Sequence, residues 1–422
     1  MLQRLRAIVR STPGRLTAAI AVLLVLGIAY GITAFTGSIN ATNDVSSIRH
    51  TSGPLTVEAQ SLYRALSDAD ATASAEFLSA GDQSDQLRSR YLADIAGAST
   101  SLAAVTAGSE RPTAAMNTLA TELPVYGGLV EAARANNRLG YPVGAAYLRE
   151  ASGLMRQTLL PAANTVYQQE AATLARDHRS ASGYPYFATL FGLVLLAALV
   201  GAQRYVTRRT RRRFNVGLVA ASAVMVAAII YQNISWASLH SHLDAAAARG
   251  SDQVNTLVQA RIAALRARAD ESLTLIAHGS GGAFETDFKN TMKSLVGTDG
   301  SSGALGKAER NASDRPVRDA ISRAMSDLRA WQEVHTALRD NDDSGRFTIA
   351  VGLAVGPASV DASQVADHDL GGGIDAANDV FATQAADASD AIRVVGIVVL
   401  ILTLLALGGL TVGVQRRIAE YR

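Results

Sequence analysis

Four stretches without a charged residue limit what this chain can fold into: 16–35, 187–203, 214–234 and 394–414, each 17 to 21 residues long. A helix needs roughly 20 residues to cross a bilayer. A core helix of a soluble protein seldom stays apolar around its whole circumference for that length. The sequence therefore predicts an all-α membrane protein with four transmembrane helices.

The charges flanking these stretches set a direction. Arg4, Arg6, Arg10 and Arg15 precede the first span, RYVTRRTRRR (204–213) joins the second to the third, and Arg416, Arg417 and Arg422 follow the fourth. The long intervening segments are acidic: 14 acids against 11 bases over 37–185, and 22 against 14 over 235–392. The positive-inside rule then puts both termini and the short loop in the cytoplasm of a plasma-membrane protein. The expected order is a cytoplasmic N-terminus (1–15), a span (16–36), an extracytoplasmic bundle (37–185), a span (186–203) and an Arg-rich loop (204–213). A third span (214–234), a second bundle (235–392), a fourth span (393–414) and a cytoplasmic tail (415–422) complete it. The basic start also fits a signal peptide, but the length of the first span and its unbroken passage into a helical pattern favour an uncleaved anchor. With 36 arginines against 3 lysines, the composition points to a GC-rich bacterial genome.

Outside the spans the apolar residues keep helical spacing. Val45, Ile48, Ser52, Leu55, Ala59, Leu62, Leu66, Ala69 and Ala73 alternate by three and four, the mark of a helix packed along one face. Breaks at 81–82 and 108–113 divide off a second and a third helix, and a fourth carries Leu148, Met155, Leu159 and Val166, with a kink expected at Pro161. The second half repeats the plan of span, helical bundle and span, which suggests an internal duplication into two antiparallel bundles. LGYPVGAAYL (139–148) and SGRFTIAVGL (344–353) hold corresponding places. Residues 348–355 could alternatively form a strand by composition, and the last helix of the second bundle is expected from about Gly373.

Candidate sites are few. Gly140, Tyr141, Pro142, Gly144, Tyr147, Arg149 and Glu150 crowd one short stretch. It is either a helix–helix turn, with Gly140 as a cap, Pro142 starting the next helix and Gly144 packing closely, or a contact surface built on aromatics and arginine. Counting helices places it on the membrane side. Arg208, Arg209, Arg211, Arg212 and Arg213 set topology and could also grip membrane lipid headgroups or an acidic partner. DNDDSG (340–345) begins like a calcium loop but has Val351 where a bidentate acid belongs, so a solvated turn capped by Ser344 or Asp343 is the better reading. No catalytic constellation, metal set, cofactor motif or nucleic-acid-binding pattern stands out, and an enzyme is not expected.

The layout and the run GYPVGAAYLREASGLM (140–155) resemble the GlnX-type four-span membrane proteins of actinobacteria. The resemblance implies a non-enzymatic transducer, partnered outside by a glutamine-binding-type, solute-binding lipoprotein and inside by protein kinase G. It would serve amino-acid sensing, and association with further copies of the chain is compatible with it. Direct sensing of a small molecule by the bundles and a cell-envelope scaffold are the rival readings.

Overall fold

The computed structural model describes residues 12–79, 82–109, 112–210, 216–277 and 279–419, and among them every regular element is helical and none is a strand. The chain divides into two compact units. One gathers the apolar segments (1–48, 176–244 and 384–422); the other is a helical unit made of 49–175 and 245–383.

In the apolar unit, α1 (Thr12–Ser47), α7 (Tyr186–Thr210), α8 (Val216–Ala245) and α15 (Val395–Ala419) hold the four predicted spans. Each lies in a helical run long and apolar enough to cross a membrane. Leu23, Tyr30 and Ala34 of α1 are buried among neighbours, whereas Val22, Val25, Ile28 and Ile32 are exposed, an apolar band of the kind lipid covers. Small residues bring these helices together, as in membrane bundles: a side chain on Gly217 would collide with the backbone of Gly409 and Gly413.

In the helical unit, α2 (Gly53–Leu78), α3 (Asp82–Gly108), α4 (Ala114–Arg138) and α5 (Val143–Leu154) with α6 (Leu160–Ala181) form the first half. The second half comprises α9 (Asp252–Ile276), α10 (Gly282–Val296), α11 (Ala304–Asn311), α12 (Arg315–Asp343), α13 (Phe347–Val355) and α14 (Pro357–Ile392). Helical hydrogen bonding continues from α1 into α2 and from α8 into α9 through wide π turns, Ile48–Ser52 and Ala246–Ser251. A third π turn, Met155–Leu159, precedes Pro161, and there the Leu160 N–H reaches back to the Met155 carbonyl. The kink expected at Pro161 thus takes the form of a local widening, a usual accommodation of a residue with no N–H to give.

Several expectations need correction. The two halves of the helical unit also pack on each other: Leu273 and Ile276 of α9 belong to the apolar core of the first half, and Tyr63 of α2 packs on that of the second. The seam on α2 is real, but from Ala65 to Glu76 the helix is buried on every side, because α9 covers the face opposite its own bundle. Residues 348–355 lie in helix α13, where Ala350 packs on Leu275 and Leu338. The last helix begins at Pro357, sixteen residues before Gly373, since proline suits the first helical turn.

A buried ionic seam as candidate functional site

The turn singled out in the sequence is built as its residues require. Gly140 takes φ +73° after α4, its N–H bonds the Asn137 carbonyl, and the Tyr141 N–H reaches the Asn136 carbonyl. Gly345 repeats the pattern after α12, with φ +75° and bonds from Gly345 to Asp342 and from Arg346 to Asn341. Both are Schellman caps, in which only glycine enters the left-handed region cheaply. This shared ending supports the duplication. It also displaces the capping role expected of Ser344 and Asp343: Asp343 instead pairs with Arg339, and Ser344 bonds back to the Asp340 carbonyl.

Pro142 precedes α5, and Gly144 lies so close to α4 that a Cβ there would sit 2.9 Å from the Ala133 carbonyl oxygen. Tyr141, Pro142, Tyr147, Arg149 and Glu150 are exposed, and with Leu139 and Val143 they give this end an apolar, aromatic surface. Within the helical unit the turn lies at the far end of α2 from Arg49, where the chain enters it. Asn137 Nδ2 donates to the Phe77 carbonyl at 2.9 Å, which puts it beside the C-terminal end of α2. That is a helix length, about 39 Å for the 26 residues of α2, from where the chain enters this unit. The helices rise, return and rise again before the turn, so an odd number of passes precedes it. Arg208 and Arg209 lie in the last turn of α7, which runs further into the basic loop than expected; Arg211, Arg212 and Arg213 fall outside the described residues.

The densest chemistry lies elsewhere, along the contact of α2 with α9. Arg156, in the π turn of the first half, places Nη1 2.5 Å from Asp270 Oδ1 and Nε 3.8 Å from Asp70 Oδ2. Ser152 donates to Asp70 at 2.7 Å, and the Arg156 guanidinium lies over the Phe284 ring. Both carboxylates are almost wholly buried. Burial raises Asp70 above the ordinary carboxylate range and Asp270 to about 6, with Arg156 pulling the other way in each case.

Towards α3 and α14, Asp68 is held by Arg64 and Arg90 at 3.3 Å each, and Arg261 grips Asp367 through two bonds of 2.6 and 2.8 Å. Asp94, beside Asp68, is lifted to about 7 by burial and by that like charge. Glu271 accepts from Trp331 Nε1 at 3.1 Å, from Ser359 at 2.8 Å and from His335 Nδ1 at 2.8 Å. The other nitrogen of His335 meets Glu285 at 3.0 Å, and its ring stacks on Phe288. Burial opposes the imidazolium, yet the two glutamates hold His335 above its usual pKa, so both nitrogens carry the protons these bonds need.

None of these residues was picked out from sequence. Their signal was present: SDAD (67–70) and RADE (268–271) put charges on helices otherwise rich in alanine and leucine, at corresponding levels of the two halves. Charged residues are seldom buried unless paired, so their fall on buried faces was the clue.

The class this structure defines is a multi-pass, all-helical membrane protein whose two halves meet on a buried ionic seam. More particularly, residues 44–179 match the family described as an actinobacterial sensor domain, which spans the first half and associates the chain with signal sensing in actinobacteria. No curated protein and no solved structure matches the chain.

Proposed function

We propose that the protein is a non-enzymatic signal transducer, whose helical unit faces outward, reads a solute-binding lipoprotein charged with an amino acid, and relays its state to a cytoplasmic protein kinase. The observation that carries this reading is the pairing of α2 with α9. Each continues a span-bearing helix through a π turn, and Arg156 fastens each to the other. A pair of packed helices with two arrangements is a physical route for a signal along the membrane normal, and an ionic seam in an apolar setting favours discrete arrangements over gradual ones. The sensor-domain match supports the same reading.

The exposed end with Tyr141, Tyr147 and Arg149 suits the outer partner, because aromatics and arginine are the usual anchors of contact surfaces. The basic loop with Arg208–Arg213 is the candidate contact for the inner one. In-cell crosslinking of the tagged full-length protein, followed by mass spectrometry, tests the proposal. Recovery of a solute-binding lipoprotein and a protein kinase is expected. Capture of envelope-assembly proteins alone, unchanged by nutrient supply, would favour a scaffold and contradict it.

A further inference from the structure

A cavity of about 250 Å³ opens between α2, α3, α9 and α14, beside the ionic seam. Arg90, Arg268, Glu271, Ser272, Ser359 and Ser363 contribute its polar lining, and Leu87 and Val360 lie among its apolar walls. Arg268 is its unusual member. Only 6 % of it is exposed, its Nη2 is shut off from solvent without a hydrogen-bond partner, and its side chain makes no ion pair among the described residues. Every other arginine of the seam has a carboxylate: Arg64 and Arg90 share Asp68, Arg156 holds Asp70 and Asp270, and Arg261 holds Asp367.

A buried guanidinium without a direct partner is costly, because the charge leaves water and is attracted by Asp68, Asp367 and Glu271 only through space. Glu271 does not repay it. Its two oxygens are already taken by Ser359, Trp331 and His335, and the His335 imidazolium answers its charge. The lining therefore carries an excess of positive charge, with Arg90 and Arg268 against Glu271 and serine hydroxyls from α9 and α14. A guanidinium of this kind matches a carboxylate in two parallel hydrogen bonds. The volume falls below the roughly 300–1,000 Å³ of drug-sized sites, which sizes it for a small solute.

We propose that this cavity binds a small organic carboxylate, its carboxylate on Arg268 with support from Arg90, and its polar remainder on Ser272 and Ser363. The ligand would bridge the two halves of the helical unit and bias the α2–α9 pair directly. This deepens the sensing reading above. Binding is read without any signalling output, so a failure here leaves the relay to stand or fall by the crosslinking.

The test is thermal unfolding of the full-length protein in lipid nanodiscs, titrated with sodium acetate, sodium succinate or sodium phosphate against sodium chloride at equal ionic strength. A saturable rise in Tm with acetate or succinate is expected. R268Q should weaken the apparent Kd at least tenfold, the equivalent of one lost charge-assisted hydrogen bond. Its unliganded Tm should not fall, since a buried charge without a direct partner is removed. The control R339Q, outside the cavity, should keep the wild-type response. No saturable effect of either carboxylate, an effect of phosphate alone, or an unchanged response in R268Q would overturn the proposal.

Discussion

Asp70 and Asp270 come from the two halves of the chain and meet on one guanidinium, that of Arg156, across the contact of α2 with α9. Neither carboxylate is on a surface, so the cation that joins them comes from the π turn of a third helix segment. The arrangement ties α2 to α9 through one side chain, in addition to the apolar packing of Leu273 and Ile276 on the core of the first half.

Removal of that side chain should be expensive. Arg156→Met leaves two buried carboxylates without their cation, and breaking a buried pair by deleting one partner costs about 3–5 kcal/mol. Thermal unfolding in nanodiscs at pH 7.5 should show a clear fall in Tm. At pH 5 the deficit should shrink, because burial lifts Asp270 to about 6 and Asp70 above its ordinary value, so that both carboxyls are then more fully protonated. A deficit that grows at pH 5 would count against the seam.

The wild-type protein should itself be more stable at pH 5 than at pH 8. Asp94 at about 7, Asp270 at about 6 and the raised His335 all keep protons in the folded state that the unfolded chain releases at lower pH, near 4 for the carboxyls and 6.5 for the imidazole. The folded state thus binds more protons across this window, and stability declines as pH rises through it. Glu285, held at about 2, acts in the opposite direction: its contribution is lost only as pH falls below about 4.5. A Tm at pH 8 equal to or above that at pH 5 would refute the assignment.

At the turn, structure and contact separate by position. Gly144→Ala pushes a methyl against the α4 backbone and should cost about 1–3 kcal/mol. Gly140→Ala strains a left-handed cap and should cost roughly 1 kcal/mol. Tyr141→Ala and Tyr147→Ala, both at exposed positions, should change stability by less than about 0.5 kcal/mol while reducing lipoprotein capture. Loss of stability without loss of capture in the tyrosine variants would return the stretch to a plain turn.

Much of the fold was legible because its determinants are local or periodic. Span length, the spacing from Val45 to Ala73 and the glycine cap at Gly140 each act within one helix or turn. The seam was not legible as a site, because it arises from the packing of one half on the other. Asp70 and Asp270 look like solvated helix charges until α2 and α9 are placed side by side, and Arg268 looks like any surface arginine until α14 closes over it. The same holds for the final helix, expected from about Gly373: the residues from Pro357 onward are polar, yet Ser359, Ser363 and Asp369 are buried.

Neutralising Arg208, Arg209, Arg211, Arg212 and Arg213, with arginines added before the first span to keep the topology, should abolish signalling while insertion and abundance stay normal. Unchanged kinase output in that variant would remove the basic loop from the mechanism.

The most direct test of the relay is kinase output in cells whose external amino-acid supply is changed, compared between the wild type and an Asp70→Asn/Asp270→Asn variant. The amides keep the shape of both residues but leave Arg156 without its carboxylates, so the variant is expected to be less stable, and output is compared at matched membrane abundance. The account predicts that phosphorylation of the kinase's substrate responds to supply in the wild type and not in the variant. An equal response in both would contradict it, and the seam between α2 and α9 would then hold the fold together without carrying the signal.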